Sequence, residues 1–261
     1  MKMPRVRNLS SIVIAMLALA VCLPAQDAKL PSTSGAATPT VDQIIDRYIA
    51  AIGGRPAIEK ITSRASLGRI EVPSMNLSGT VMIHEKAPDK TLQVVVFNGN
   101  AFRQGFDGTH AWTDDPADGL RVLSGLEFAE TKRDADFFHP LHLHEIYSKL
   151  TLVGTEKVGD RDAYVLEGTA PDESEPDKMY FDAQNGLALR IVSPRHTPDG
   201  EAKIQEDFSD YRPVDGLELP FTIVQTGGSA DFTIHISEIH HGVDLDDGEF
   251  AAPQAADSKV Q

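Results

Sequence analysis

The densest group of side chains able to do chemistry is His139-Pro140-Leu141-His142-Leu143-His144-Glu145. Imidazoles and a carboxylate are suitable zinc ligands. The His-x-x-His-x-His spacing lets two rings approach one ion where the chain is helical or turned. Pro140 restricts that backbone, and the other histidine pair, His240-His241, is distant in sequence. His139, His142 and His144 are therefore weak metal candidates. With nearby carboxylates they would serve a metal-assisted hydrolase, the alternative to a binding protein. Other chemistry is scarcer. His84-Glu85 lacks the second histidine of a zinc-protease helix. There is no Gly-x-Ser-x-Gly elbow and no Gly-rich phosphate loop after a strand. Asp114-Asp115 reads as a solvated turn before Pro116, and residues 172–177, rich in Asp and Glu, read as a solvated loop. Nothing calls for a cofactor, and the chain reads as a non-enzyme.

Composition narrows the partners. The 261 residues carry 24 Lys and Arg against 39 Asp and Glu, a formal net charge of −15. A nucleic-acid binder needs a basic face to neutralise phosphates, so nucleic acid is excluded as a partner. One cysteine, Cys22, excludes a disulfide scaffold and a Cys-rich zinc site. Lys2, Arg5 and Arg7 precede an apolar run from Ile12 to Leu23, then Pro24-Ala25. That order is a secretory signal peptide over residues 1–25, too short in its apolar core to span a bilayer. Cys22 is either part of a discarded signal or a site of lipidation that anchors the chain. Residues 26–39, polar and small with Pro31 and Pro39, read as a flexible linker.

The elements that must position any site follow. Val41, Ile44, Ile45, Tyr48, Ile49 and Ile52 fall on one helical stripe. Thr40 and Gln43 have capping-box spacing, and Gly53-Gly54 stop the helix. Pro56 starts a second short helix through Ile61. After Ser63 the apolar period changes to two. Strands are expected at 64–72, 78–86, 91–97, 101–106 and 109–113, then at 150–157, 163–169, 178–182, 187–193, 203–211, 219–226 and 231–239. Asn98-Gly99, Asp107-Gly108 and Asn185-Gly186 are turn dipeptides. Short connections favour antiparallel meanders. Residues 114–149 break this rhythm, with a helix start near Ser124 and the apolar, proline-interrupted run Phe137–His144, which reads as a lid or plug over the sheet.

These elements predict a mainly β, α+β fold: a large curved antiparallel sheet, an unclosed half-barrel, with covering helices. Such a sheet can enclose an apolar cavity that takes acyl chains. Its candidate lining is Ile45, Ile49, Val94, Val96, Phe102, Trp112, Phe137, Phe138 and Leu141, with Phe106 a further aromatic of core or wall. A solid interior would instead make the chain a non-catalytic envelope interaction protein.

Several stretches carry a family resemblance. They are the helix ending Ala51-Ile52-Gly53-Gly54, Tyr180-Phe181-Asp182-Ala183-Gln184-Asn185-Gly186-Leu187, Phe208-Ser209-Asp210-Tyr211-Arg212-Pro213 through Pro220, and Val243-Asp244-Leu245-Asp246-Asp247-Gly248-Glu249-Phe250. Over residues 40–253 the chain resembles the LolA/LolB-like outer-membrane lipoprotein-sorting superfamily of bacterial envelope proteins, leaving 254–261 as a tail. The resemblance implies a half-barrel covered by helices that holds lipid or lipoprotein acyl chains. It also implies a periplasmic carrier or an outer-membrane-anchored acceptor, with inner- or outer-membrane transfer partners.

Overall fold

A computed structural model describes residues 38–253 apart from 172, 174, 198 and 199. The expected signal peptide with Cys22, most of the expected linker and residues 254–261 lie outside the described residues. Helix α1, Val41–Ala51, starts where its sequence places it. The Thr40 hydroxyl accepts from the Gln43 N–H at 3.2 Å, and the Thr40 N–H donates to Gln43 Oε1 at 3.0 Å. Ile44, Ile45 and Tyr48 are buried by this helix. Gly53, at φ +114°, ends it, and a Cβ there would lie 2.4 Å from the Gly216 carbonyl oxygen, so only glycine allows this approach. A short α2, Arg55–Lys60, follows with Pro56 in its first turn.

The strands are β1 Ser63–Val72, β2 Leu77–Lys86, β3 Lys90–Phe97, β4 Asn100–Phe106, β5 Ala111–Asp115 and β6 Gly119–Val122. After a helical connector come β7 Lys149–Val158, β8 Arg161–Thr169, β9 Asp177–Asp182, β10 Ala188–Thr197, β11 Gly200–Val214, β12 Leu217–Thr226 and β13 Phe232–His241. They form one 13-stranded sheet in the order β6-β5-β4-β3-β2-β1-β13-β12-β11-β10-β9-β8-β7. Every pairing is antiparallel. The sheet is an unclosed half-barrel, as the meander pattern predicts. Tight turns carry the hairpins: Asn98-Gly99 has φ of 50° and 81°, and Asp215-Gly216 has φ of 52° and 82°, the left-handed pair such turns require. β6 is the one strand absent from the sequence reading; at four residues it is too short to show a period.

The order of strands has one structural consequence. β6 and β7 are consecutive in the chain but stand at opposite edges of the sheet. The connector between them, residues 123–148, therefore runs from one edge to the other. It contains α3 Gly125–Asp134, a 3-10 turn at His139–Leu141 and α4 Leu143–Ile146.

Alternation divides the sheet into two faces. The inner face carries the main core: Ile70 and Val72, Val81 and Ile83, Val95 and Phe97, then Met179 and Phe181, Phe208, Ile223, Ile234 and Ile236. Helix α1 lies against it, with Tyr48 and Phe181 rings 4.8 Å apart. On the outer face Leu92 and Trp112 pack with Leu245 and Phe250 from the C-terminal segment. The indole N–H of Trp112 donates to the Phe250 carbonyl at 2.9 Å. Gly105, opposite Trp112, leaves room for the ring, since a Cβ would approach it to 2.6 Å.

Candidate functional site

The candidate site is the interior bounded by the inner face, α1 and the connector. Ile45 and Leu141 are buried in its core, and Ile49, Phe102, Phe137 and Phe138 pack on that core half-buried. The rings of Phe137 and Phe138 meet edge to face at 5.3 Å, and the Arg64 guanidinium sits over Phe137 at 5.4 Å. Phe102 meets Phe97 edge to face at 6.2 Å. Six of the expected wall residues thus share one region. Val94, Val96 and Trp112 do not, which corrects the expected lining. Val95 and Phe97 face the inner core, so strand alternation turns Val94 and Val96 outward. Val94 packs with Trp112 in the outer cluster under Phe250. Phe106 joins Ala111, Leu123 and Ala135 beneath α3, with Phe128 against it at 6.0 Å.

The histidine group disperses. His142 Nδ1 lies 2.7 Å from Asp136 Oδ2, whereas His144 Nε2 lies 3.0 Å from Asp42 Oδ1 on α1. His139 is half-buried, and desolvation lowers its pKa, which favours neutral imidazole. Among the described residues no group of three His, Cys, Asp or Glu is disposed to hold a metal ion. The weak metal candidates are not gathered round one point: a 3-10 turn covers His139–Leu141, and His142 and His144 turn to Asp136 and Asp42.

An ionic cluster lies beside His139, under α3. Arg133 pairs with Glu173, and its Nη2 lies 3.9 Å from Asp177 Oδ2. Arg195 Nη2 donates to Asp134 Oδ1 at 3.3 Å. The Tyr147 hydroxyl donates to Asp177 Oδ2 at 2.7 Å. Glu130 accepts from the His196 N–H at 3.1 Å, and its Oε1 lies 2.6 Å from His196 Nδ1. Desolvation raises the Glu130 carboxyl, and the same contact raises His196. Glu206, on the adjacent strand β11, is buried, and desolvation pushes its carboxyl up to about 8 despite the nearby Arg195. Glu206 is therefore mostly a neutral acid at pH 7.

The cluster overturns two solvent assignments. Glu173 and Asp177 are ion-paired interior groups, each with 4% side-chain exposure. Asp115 is buried too, and its Oδ1 accepts from the Ala117 and Asp118 N–H groups at 2.6 and 3.2 Å. A sequence signal existed for Asp177. It precedes Met179 and Phe181 by two and four positions, and a strand's period of two puts all three on one face.

Known structures of the same shape are informative at this point. The fold matches a DUF1329 family protein from Desulfovibrio piger with a TM-score of 0.54 and 16% identity, covering 82% of this chain and 98% of that one. It matches a LolA superfamily protein from Nitrosomonas europaea with a TM-score of 0.53 and 15% identity, over 82% and 99% of the two chains. A putative outer-membrane lipoprotein-sorting protein domain from Vibrio parahaemolyticus matches with a TM-score of 0.50 and 16% identity, over 72% and 88%. The protein shares the LolA-like fold. No family model matches the chain, and no curated protein matches it in sequence. Among the described residues no helix is long and apolar enough to cross a membrane.

Proposed function

We propose that this is an exported envelope protein that binds the acyl chain of a lipid or lipoprotein between α1, the connector and the inner face of the sheet. One observation carries the reading: the apolar inner face of an unclosed sheet is roofed by separate helical pieces that no sheet hydrogen bonds hold in place. The connector is anchored mainly by side chains, through Glu130, Arg133 and Asp134. Its main-chain ties to the strand region are at its two ends, where the Leu123 N–H donates to the Ala111 carbonyl at 2.8 Å and the Ser148 N–H to the Thr169 carbonyl at 3.0 Å, and midway, where the Phe137 N–H donates to the Pro88 carbonyl at 2.9 Å. Such a roof can part without unfolding the sheet. Burial of each methylene contributes roughly 0.8 kcal/mol before ordering costs, so affinity should rise with chain length and need no metal. The reading takes residues 1–25 as an export signal, 26–39 as a linker and 40–253 as the binding domain. The periplasm is the working compartment, with anchoring if Cys22 is lipidated, and the partners are membrane donors and acceptors of the lipid. The LolA superfamily structure and the lipoprotein-sorting domain structure support it through shared fold.

The test is extraction of the purified full chain followed by lipid mass spectrometry, with uptake of fluorescent fatty-acyl probes of increasing length. Co-purifying lipid and length-dependent uptake are expected. A protein that carries no lipid and takes up no probe contradicts the reading.

A further inference from the structure

The two edges of the sheet, β6 and β7, differ in how they are guarded. At β7 the register shifts between Leu152 and Gly154, a bulge that leaves Val153 out of the pairing, and Lys149 and Lys157 stand exposed along the strand. Bulges and lysines are devices by which edge strands resist pairing with another chain. β6 carries neither. Its register with β5 runs unbroken from Trp112–Val122 to Asp115–Gly119. Its two apolar side chains are exposed, Leu120 at 42% and Val122 at 60%.

The main chain of β6 is open as well. The Leu123 N–H donates to the Ala111 carbonyl at 2.8 Å. Bonded and non-bonded pairs alternate along an antiparallel ladder. Thr113–Arg121 and Asp115–Gly119 are therefore the bonded pairs, and the N–H and C=O groups of Leu120 and Val122 point away from β5. The side chains sort by the same alternation. Val122 stands opposite Trp112 and Leu120 shares its face, so both continue the outer apolar cluster of Trp112, Leu92 and Phe250 to the rim. Arg121 takes the other face, where it donates to both oxygens of Glu127 at 2.6 and 3.0 Å. Asp114 is matched by Arg103 at 2.9 Å, and Asp115 by main-chain N–H groups. Asp118, next to Gly119, is left exposed to solvent.

We propose that the β6 edge docks an extended segment of a partner polypeptide, which adds a strand to the sheet. The added strand runs antiparallel, as every pairing in the sheet does. Its main chain bonds to the outward groups of Leu120 and Val122, and apolar side chains on alternate residues lie over these two. A Lys or Arg flanks them beside Asp118, in keeping with the formal charge of −15 on this chain. A second copy fits poorly. Two four-residue edges bury far less than the roughly 1,200 Å² of a stable interface, and both copies carry the same net charge. The site is on the rim and does not depend on the acyl-binding reading.

The experiment titrates the full protein with three fluorescent peptides, read by anisotropy. The first is Lys-Val-Thr-Val-Thr-Val-Lys. The second has glutamate for both lysines, and the third is the lysine peptide N-methylated at each valine. In antiparallel pairing the valine amides are the ones that face β6. The lysine peptide should bind, the methylated one at least about tenfold more weakly, and the glutamate one about threefold to tenfold more weakly. Hydrogen exchange should slow at the Leu120 and Val122 amides and not at Val153. Val122→Pro removes an outward N–H and no bond to β5, and it should weaken the lysine peptide about tenfold. Asp118→Lys, at an exposed position that leaves the fold alone, should narrow the lysine preference about threefold. Acyl-probe uptake should be unchanged in both variants. Absence of binding, or binding insensitive to N-methylation, overturns strand addition. A lysine preference unmoved by Asp118→Lys overturns the basic flank. A dimer in solution that Val122→Pro separates assigns the edge to a second copy and overturns the partner segment.

Discussion

Glu206 offers the sharpest physical test of the polar interior. Its carboxyl is buried on β11 among the inner-face groups, and loss of hydration pushes it up to about 8 from the ordinary 4.5. The folded protein therefore holds this proton more tightly than the unfolded chain does. Stability contributed by that proton is present in full below about pH 4.5 and is lost as pH rises to about 8. At 1.36 kcal/mol for each unit between the two values, the loss has an upper bound of about 5 kcal/mol. Glu206→Gln keeps the shape of the neutral acid and cannot ionise. Urea unfolding of both proteins from pH 4 to pH 9 isolates this one group, because every other titration cancels in the difference. The two should be nearly equal at pH 4, and the variant should gain steadily through neutrality to exceed wild type by several kcal/mol at pH 9. Parallel stability curves across that range would refute the assignment of Glu206 as a buried neutral acid.

Further outcomes follow from the packing. Ile45→Ala empties a fully packed position between α1 and the sheet and should cost about 2–5 kcal/mol in urea unfolding. Thr40→Ala removes the α1 cap and should cost about 1 kcal/mol, read as a lower Tm. Trp112→Phe strands the Phe250 carbonyl and should cost about 1–3 kcal/mol, yet leave acyl-probe affinity unchanged, because the ring is on the outer face. His142→Ala should leave the metal content of untagged protein unchanged and cost no more than about 1 kcal/mol, since the Asp136 contact is partly exposed.

The parts of the fold legible in the sequence were those with long, regular signals. The α1 stripe and its Thr40–Gln43 cap are local, and the structure reproduces both. The two-residue period and the Asn-Gly and Asp-Gly turns specify strands and hairpins without reference to distant partners. What a period cannot say is which of its two phases faces which side. Val94 and Val96 look as apolar as Val95, and only the C-terminal segment arriving over Trp112 shows that their phase is the outer one. Charge misled for a related reason. Glu173 and Asp177 belong to an acidic stretch that resembles a solvated loop, and their burial depends on Arg133, some forty residues away in sequence. Arg133 in turn reaches them because the connector must travel between the two edges of the sheet. The histidines, weak metal candidates by spacing, are parted by local geometry: a 3-10 turn covers His139–Leu141, and His142 and His144 meet different carboxylates.

A photoreactive fatty acid, cross-linked to the purified full chain and mapped by peptide mass spectrometry, tests most directly whether cargo enters the interior. The account predicts labels on inner-face and roof residues such as Ile49, Phe102 and Phe138, with none on Val94 or Trp112. Labels confined to the outer face, or no labelling above that of a denatured control, would contradict it.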